Sequence, residues 1–527
     1  MGLVVVLASC GVFSSDDPTT TEGSSGGTPD QNAKPPGVDG APLEGVFVSF
    51  SKGNDATGDG SQEKPLGSIG AGLRKGQTER KRVLVCAETY AEQVTLIDGV
   101  SMYGYFDCSG APWKLDETKR AKIAPTKSPT VRAENLKEPT RLEGFEIVGP
   151  ELGPGSETER EAFQNASIAL YVKSSGSLSV GKSILRGGRG RDGVDAPAPP
   201  NPTSTVLATP QNGRDETQCS LNPPGVVCSG AGRTGLPGGT GGQLDCGGGR
   251  KGNAGGNGGL GCHMSSSTTC YLLNPGTAGD AIPATAAVGE GGAVAQYRYM
   301  GADAKAGADG APGNDGASGG QSFTDQGPVP GDGSVGLEGK FGQAGGGSGG
   351  YARGVGGFDG NLAASGAGGG GGGCPGLPAA RGGLGGGASV GLYLVASTVR
   401  LEKATVAGGT GGRAGAGIIG SPGSSGQQGG KGGFVNNSQT RCNNDVLNEV
   451  CHSGAGGTGG KGGRGGASGH GASGASFAVV QVGASELKQD ADTKLEAGKG
   501  GAGAPAIAGT TVTAMPDGLT DTIFKQP

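Results

Sequence analysis

The side chains able to do chemistry are few in this chain and widely scattered. Its three histidines, His263, His452 and His470, all lie in glycine-rich stretches, where an imidazole reads as a solvated loop residue. Carboxylates gather at Asp490, Asp492 and Glu496, and such groups serve acid–base chemistry when they share a groove. Asp55 and Asp59 fall in a Gly/Asn/Asp stretch, where bonding to nearby amides is a simpler role than calcium binding. The run Gly187-Gly188-Arg189-Gly190-Arg191-Asp192-Gly193-Val194-Asp195 fits a calcium-binding nonapeptide, but that motif works in tandem copies and here it stands alone. No Gly-x-Gly-x-x-Gly match sits in the strand–helix context of a nucleotide loop. No catalytic residue, metal or cofactor is assigned from these patterns.

The 11 cysteines say more. Cys10 closes an apolar run over residues 3–9, too short for the roughly 20 residues that span a bilayer but matching a short signal-peptide core. Leu7-Ala8-Ser9-Cys10 resembles a bacterial lipobox, which implies cleavage before Cys10 and lipidation of its thiol. No Lys or Arg precedes the run, and Gly11 stands where an acidic residue would resemble an inner-membrane retention signal. The resemblance therefore implies an outer-membrane or cell-surface lipoprotein, joined to the membrane through Cys10. Setting Cys10 aside leaves an even number of cysteines, which in an exported chain reads as disulfides. Cys86 is expected to pair with Cys108. Cys219 and Cys228 share their spacing with Cys442 and Cys451, and Ser-Gly-Ala-Gly follows each pair, so both pairs are expected to close local loops. Cys246, Cys262, Cys270 and Cys374 are left unassigned.

Positioning these residues falls to a chain of 527 residues with 119 glycines and only 33% hydrophobic residues. That composition cannot support several ordinary cores. The net charge of −5 is thinly spread, so no nucleic-acid partner is implied. Residues 1–10 read as the signal peptide, and residues 11–44, rich in Ser, Thr, Asp, Gly and Pro, as a disordered tether. Residues 45–186 carry short apolar runs at brief intervals. A module at residues 167–186 then returns in diverged form at 389–407 and again from 476 in the last segment, 476–527. Glycine-rich insertions, 187–388 and 408–475, separate the copies. Because closure entropy grows only logarithmically, insertions of such unequal length differ little in cost.

Within the modules, apolar alternation sets Ile168, Leu170 and Val172 inward, followed by Leu178 and Val180; Val390, Leu392 and Leu394 repeat the pattern, as do Phe477 and Val479. Three short strands in about 20 residues describe one coil of a three-faced solenoid. On that reading Leu392→Asp is expected to cost more than Tyr393→Asp. The strand, Asp/Gly turn and amphipathic segment over residues 66–73 resemble the N-terminal cap of right-handed parallel β-helix proteins of the pectate-lyase-like kind. The resemblance implies an all-β fold and, for an enzyme of that kind, a groove of converging carboxylates. The acids of the third module have no counterparts in the first, where Ser179 and Lys182 stand instead, and aromatic residues make up only 4% of the chain.

Periodic glycines fill the insertions, as in residues 456–466, where a non-glycine recurs at every third position. This suits packed polyglycine helices with three residues per turn, or else a flexible linker. Residues 307–316 are similar to collagen but hold too few triplets for a triple helix. The functional expectation is a non-enzymatic surface lipoprotein, its β-helix displaying glycine-rich loops for adhesion or for envelope or matrix contacts, with surface glycans or other cells as partners. The alternative is a polysaccharide-binding or polysaccharide-cleaving β-helix.

Overall fold

A computed structural model describes residues 43–215, 217–222, 225–228, 237–259, 263–264, 270–272, 276–279, 290–291, 302–353, 361–435 and 451–527. Cys10, the tether as far as residue 42, Cys262 and Cys442 lie outside them. Three large sheets surround one apolar core. The first runs Val46–Val48, Val83–Cys86, Met102–Asp107, Thr140–Glu143, Leu178–Gly181, Thr398–Glu402, Glu486–Gln489. The second runs from Thr89–Tyr90 through Phe145–Val148, Ile184–Arg186 and Thr405–Ala407 to Lys494–Glu496, and the third from Val94–Thr95 through Ser167–Lys173, Ser389–Val395 and Ser476–Val482 to Thr520–Gln526. Every ladder in them is parallel except that of Lys114–Leu115, which pairs antiparallel with Met102–Asp107. Successive strands of one sheet come from successive passes of the chain, so the architecture is solenoid-like.

Left-handed corners turn the chain from sheet to sheet. Asn135, Ser174, Ala396 and Gly483 each follow a third-sheet strand, and Gly144, Lys182 and Lys403 each follow a first-sheet strand, all with φ between 43° and 78°. Ser175 and Ser397 come just after the first set of corners. Ser175 Oγ accepts the Leu136 amide, and Ser397 Oγ accepts the Ser175 amide at 3.1 Å. Each serine thus bonds an amide one pass away, where the ladder itself is interrupted. At the start, Ser68 caps the helix Ile69–Glu79 by accepting the Ala71 amide. Ile69 and Leu73 of that helix join the core beside Val48 and Val83, closing one end of the solenoid.

Leu170, Leu392 and Val479 stack in register and share that core. Strict alternation, however, fails at the head of each module. Ile168, Val390 and Phe477 belong to a second apolar cluster on the outer face of the third sheet, whereas Ala169 and Ala478 turn inward with the leucines. The strands bend here, and only small residues fit the bend: a Cβ on Gly391 would lie 2.7 Å from the Ala407 carbonyl oxygen. Tyr393 does face away from Leu392, as the alternation requires, yet it too is fully buried. The hairpin of Ser322–Thr324 and Gly327–Val329, carried by the first insertion, lies over it. The hydroxyls of Tyr171 and Tyr393 donate to the Asp325 and Thr324 carbonyls at 2.7 Å, and Phe323 packs on Phe477.

The glycine-rich segments bond sideways with a three-residue period. Along residues 453–474, the amides of Ser453, Gly456, Gly459, Gly462, Gly465, Ser468, Gly471 and Gly474 donate to carbonyls of 412–433, in antiparallel sense. The amides of Gly457, Gly460, Gly463, Gly466 and Gly469 donate to 334–346. The carbonyls of Ala455, Thr458, Lys461, Arg464, Ala467 and His470 accept from 304–319. These are the packed glycine helices the periodicity allows, and the collagen-like run is one of them, at an edge. Residues 365–376 are enclosed instead, bonding to six segments: 211–214, 239–242, 253–259, 339–348, 424–433 and 457–463.

Cysteines fasten this bundle and the first coils. Cys86 is joined to Cys108, and Cys246 to Cys374 within the enclosed segment. Backbone pairing sets Cys219 directly across from Cys228. Cys270 and Cys451 also occupy short strands.

Two outcomes follow from this packing. Gly370→Ala would place a methyl 1.9 Å from the Gln427 carbonyl oxygen, whereas Gly320 has open space around it. Thermal unfolding is expected to show a loss of about 1–3 kcal/mol for Gly370→Ala and almost none for Gly320→Ala. The buried state of Tyr393 also changes the expectation for the third sheet: Leu392→Asp and Tyr393→Asp should both destabilise strongly in the same assay, since each buries an unpaired charge.

Candidate functional site

A connected set of ionisable side chains lies on the outer face of the first sheet. Register aligns Arg141, Ser179, Arg400 and Lys488 in one column, and Glu143, Gly181 and Glu402 in another. Arg141 bridges passes of the chain, bonding Glu143 at 2.5 Å and Glu402 at 2.8 Å. Gly181 makes room for it, because a Cβ there would lie 2.8 Å from the guanidinium. Glu143 has no exposed side-chain surface. Lys182, at its left-handed corner, reaches Glu117 at 2.5 Å and Glu143 at 3.5 Å. Beneath them lies Tyr105, whose buried hydroxyl has no hydrogen-bond partner.

Proton affinities here run against base chemistry. Burial alone would push Lys182 down, but the Glu117 and Glu143 carboxylates outweigh it and hold the ammonium above its ordinary value. Burial, reinforced by the Glu143 charge, pushes the Tyr105 phenol far up. Burial would raise Glu402, yet its bonds to Arg141 and then Arg400 hold it below the usual carboxylate range. A general acid or base is most effective when its proton affinity lies near the working pH; a lowered Glu402 is a weakened base and a raised Lys182 ammonium a weakened acid. These groups are instead fixed as an ion-pair network.

An open cleft of about 930 Å³ lies beside the first strand, lined in part by Phe47, Asp59, Glu63, Glu79, Lys81 and Trp113. Trp113, the only tryptophan, is 5% exposed and meets Phe47 edge to face at 5.1 Å. Its ring is therefore spent on packing and offers little face for stacking a sugar. Glu79 is held down by bonds from Lys75 and then Lys81.

The residues singled out from sequence do not converge. Asp490 accepts the Lys403 amide and the Thr493 hydroxyl at a corner, while Asp492 and Glu496 are exposed. Asp59 accepts the Ser61 amide two residues on, which is turn chemistry, whereas Asp55 accepts the Gly67 and Ser68 amides 12 and 13 residues away and so ties the loop to the helix cap. The nonapeptide acids Asp192 and Asp195 accept the Arg413 and Ala416 amides of the next glycine helix. Among the described residues, no three His, Cys, Asp or Glu side chains are grouped as metal ligands. His452 is exposed, but His470 departs from the expected solvated role: it is 1% exposed, and its Nδ1 accepts the Gly417 amide at 2.9 Å.

Sequence reasoning missed the ion-pair network because Arg141 and Glu402 lie 261 residues apart. One signal was present. Arg-Leu-Glu occurs at 141–143 and again at 400–402, two passes apart in the same sheet, with the small Ser-Val-Gly of 179–181 between them.

Among the described residues no helix is long and apolar enough to cross a membrane. Comparison with family models, curated proteins and solved structures yields no match.

His470 generates a pH prediction. Burial lowers its proton affinity, offset in part by the Pro505 carbonyl, and protonating Nδ1 would remove the acceptor for Gly417. The unfolded chain therefore takes up the proton more readily, and stability falls as pH drops below about 6.5, the ordinary histidine value. Melting curves at pH 7.5 and pH 5 should show an acid loss that is smaller in His470→Gln.

Proposed function

We propose that this chain is a non-enzymatic cell-surface scaffold, anchored in the outer membrane through a lipid on Cys10. On this reading the solenoid is a right-handed parallel β-helix of the pectate-lyase-like kind. Its glycine bundle is a rigid platform for contact with glycans, other cells or matrix. The observation that carries the reading is how the bundle divides its residues. Glycines face neighbouring helices, while non-glycine residues such as Thr410, Arg413, Ile419, Pro422, Gln428 and Lys431 form an exposed row along 408–433. Display of that kind needs no catalytic centre, and the ionisable cluster of the first sheet is committed to its own ion pairs.

A polysaccharide-handling protein is the second reading. It is favoured by the exposed Arg400 and Lys488, stacked one pass apart on the first sheet. The two readings part in one experiment. The purified chain is incubated with uronic-acid polymers while unsaturated product is followed, and its retention on whole cells and glycan arrays is measured in parallel. Retention without turnover is the expected result. Turnover that Glu402→Gln abolishes would overturn the scaffold reading. Separately, Cys10→Ser is expected to release the protein from the membrane fraction.

A further inference from the structure

Between Ala196, whose amide donates to the Ala416 carbonyl, and the strand Thr205–Ala208, no amide or carbonyl of residues 197–204 bonds to another described residue. The sequence there is Pro-Ala-Pro-Pro-Asn-Pro-Thr-Ser. Proline fixes its own φ and drives the residue before it into the extended or polyproline-II range. Every residue from Ala196 to Pro202 is either a proline or stands directly before one. Burial follows the three-residue turn of that helix. Ala196 is buried and Pro199 and Pro202 are half-buried, whereas Pro197, Ala198, Pro200, Asn201, Thr203 and Ser204 are exposed. Exposure continues into the strand, where Val206 and Leu207 are 60% and 48% exposed, and its sheet has only two members.

This strap presents a particular chemistry to its surroundings. A connection that only had to span the gap would need its inward ridge alone, but Pro197 and Pro200, three apart, set a second proline ridge toward solvent. Four of the eight positions from 197 to 204 are proline and have no N–H, while the carbonyls are left unbonded, so the surface is apolar and rich in acceptors. No charged residue occurs from 196 to 213. The complement to such a surface is a flat ring that packs on pyrrolidine and carries its own donor, the indole N–H of Trp or the hydroxyl of Tyr. This chain's one tryptophan, Trp113, is 5% exposed and packed on Phe47, so a second copy does not offer it.

We infer that residues 197–207 are a docking strap for another protein that bears an aromatic-lined groove, read as P-x-x-P through Pro197 and Pro200. Val206 and Leu207 lengthen the apolar contact beyond the prolines. The strap holds its conformation before the partner arrives, so little chain entropy is lost on docking. Because it carries no charge, the contact is insensitive to salt. It depends neither on the anchor at Cys10 nor on the exposed row of the glycine bundle.

Photocrosslinking with the full chain, in the cells that make it, tests this. Benzoylphenylalanine replaces Ser204 in one version and Gln428, on the row along 408–433, in a control. Position 204 is expected to give a discrete protein adduct, with the crosslinked partner peptide lying in a groove lined by Trp or Tyr. For the purified pair, affinity should fall about tenfold in Pro197→Ser/Pro200→Ser and hardly at all when salt is raised. Both prolines are exposed, so the melting curve and the position-428 pattern should stay unchanged. Pro200→Ala alone and Leu207→Ser alone should each weaken the pair by a smaller factor, so the result does not rest on the folding of one variant. No adduct from position 204 would overturn the inference, as would an adduct with a glycan or with a second copy of this chain. An adduct whose partner affinity survives every one of these substitutions, or a partner surface without aromatic side chains, would overturn it equally.

Discussion

The structure depends on how closely one backbone can approach another when no Cβ intervenes. A helix with three residues per turn makes no hydrogen bonds within itself, so its amides and carbonyls must find partners on neighbouring chains or in water. The glycine content of each triplet then reports how many of its faces are covered. Gly368–Gly373, six glycines in succession, meet backbone on every side: a Cβ would lie within 2.7 Å of carbonyl oxygens of Thr240, Gly345, Gln427, Gly242, Gly342 and Ser424 in turn. Residues 456–466, with two glycines per triplet, leave one row for side chains. Residues 307–319, with one, form an edge helix whose glycines face 331–343 while their partners in each triplet are largely exposed.

At such an edge the side chains take over part of the backbone's task. Asp303, Asp309 and Asp315, six residues apart, accept the amides of Ala455, Lys461 and Ala467 at 2.6–2.7 Å. Every second turn of the edge helix thus supplies a carboxylate to an amide that has no carbonyl opposite it. Bonds to charged acceptors are stronger than neutral ones, so the edge is held by acids rather than by apolar contact. At the junction with the solenoid, serines do comparable work. Ser389 Oγ donates to the Gly188 carbonyl and accepts the Gly409 amide, and Ser476 Oγ donates to the Gly409 carbonyl. The places where the chain leaves the solenoid are thereby tied to the strands where it returns. Cys246–Cys374 adds a link across 128 residues, a closure for which chain entropy alone suggests about 4–5 kcal/mol.

How much of this was legible follows from which interactions are local. The stacking of Leu170, Leu392 and Val479 could be read because each module repeats within a single strand's reach, and the three-residue period announced the glycine helices. The bend at Ala169, Gly391 and Ala478 could not, since period-2 reasoning assumes a straight strand. Tyr393 was misjudged because the hairpin that buries it comes from an insertion some 70 residues earlier in the chain. The acids of the nonapeptide and of the collagen-like run looked like fragments of known motifs. Their partners, the amides of helices 152 or 221 residues away, carry no sequence mark at all.

These constraints separate what the fold requires from what its surface displays. A glycine facing another backbone cannot change without a clash, and an inward leucine cannot change without a cavity. The third residue of an outward-facing triplet is under neither demand: along 408–433 that row holds Thr, Arg, Ala, Ile, Pro, Ser, Gln and Lys in succession, with no common size, charge or polarity. Here the fixed polar side chains, Arg141, Glu143 and Lys182, hold one another, and the freely chosen ones face out in ordered rows. Such a division leaves surface chemistry adjustable residue by residue while the backbone lattice beneath it stays fixed by its hydrogen bonds.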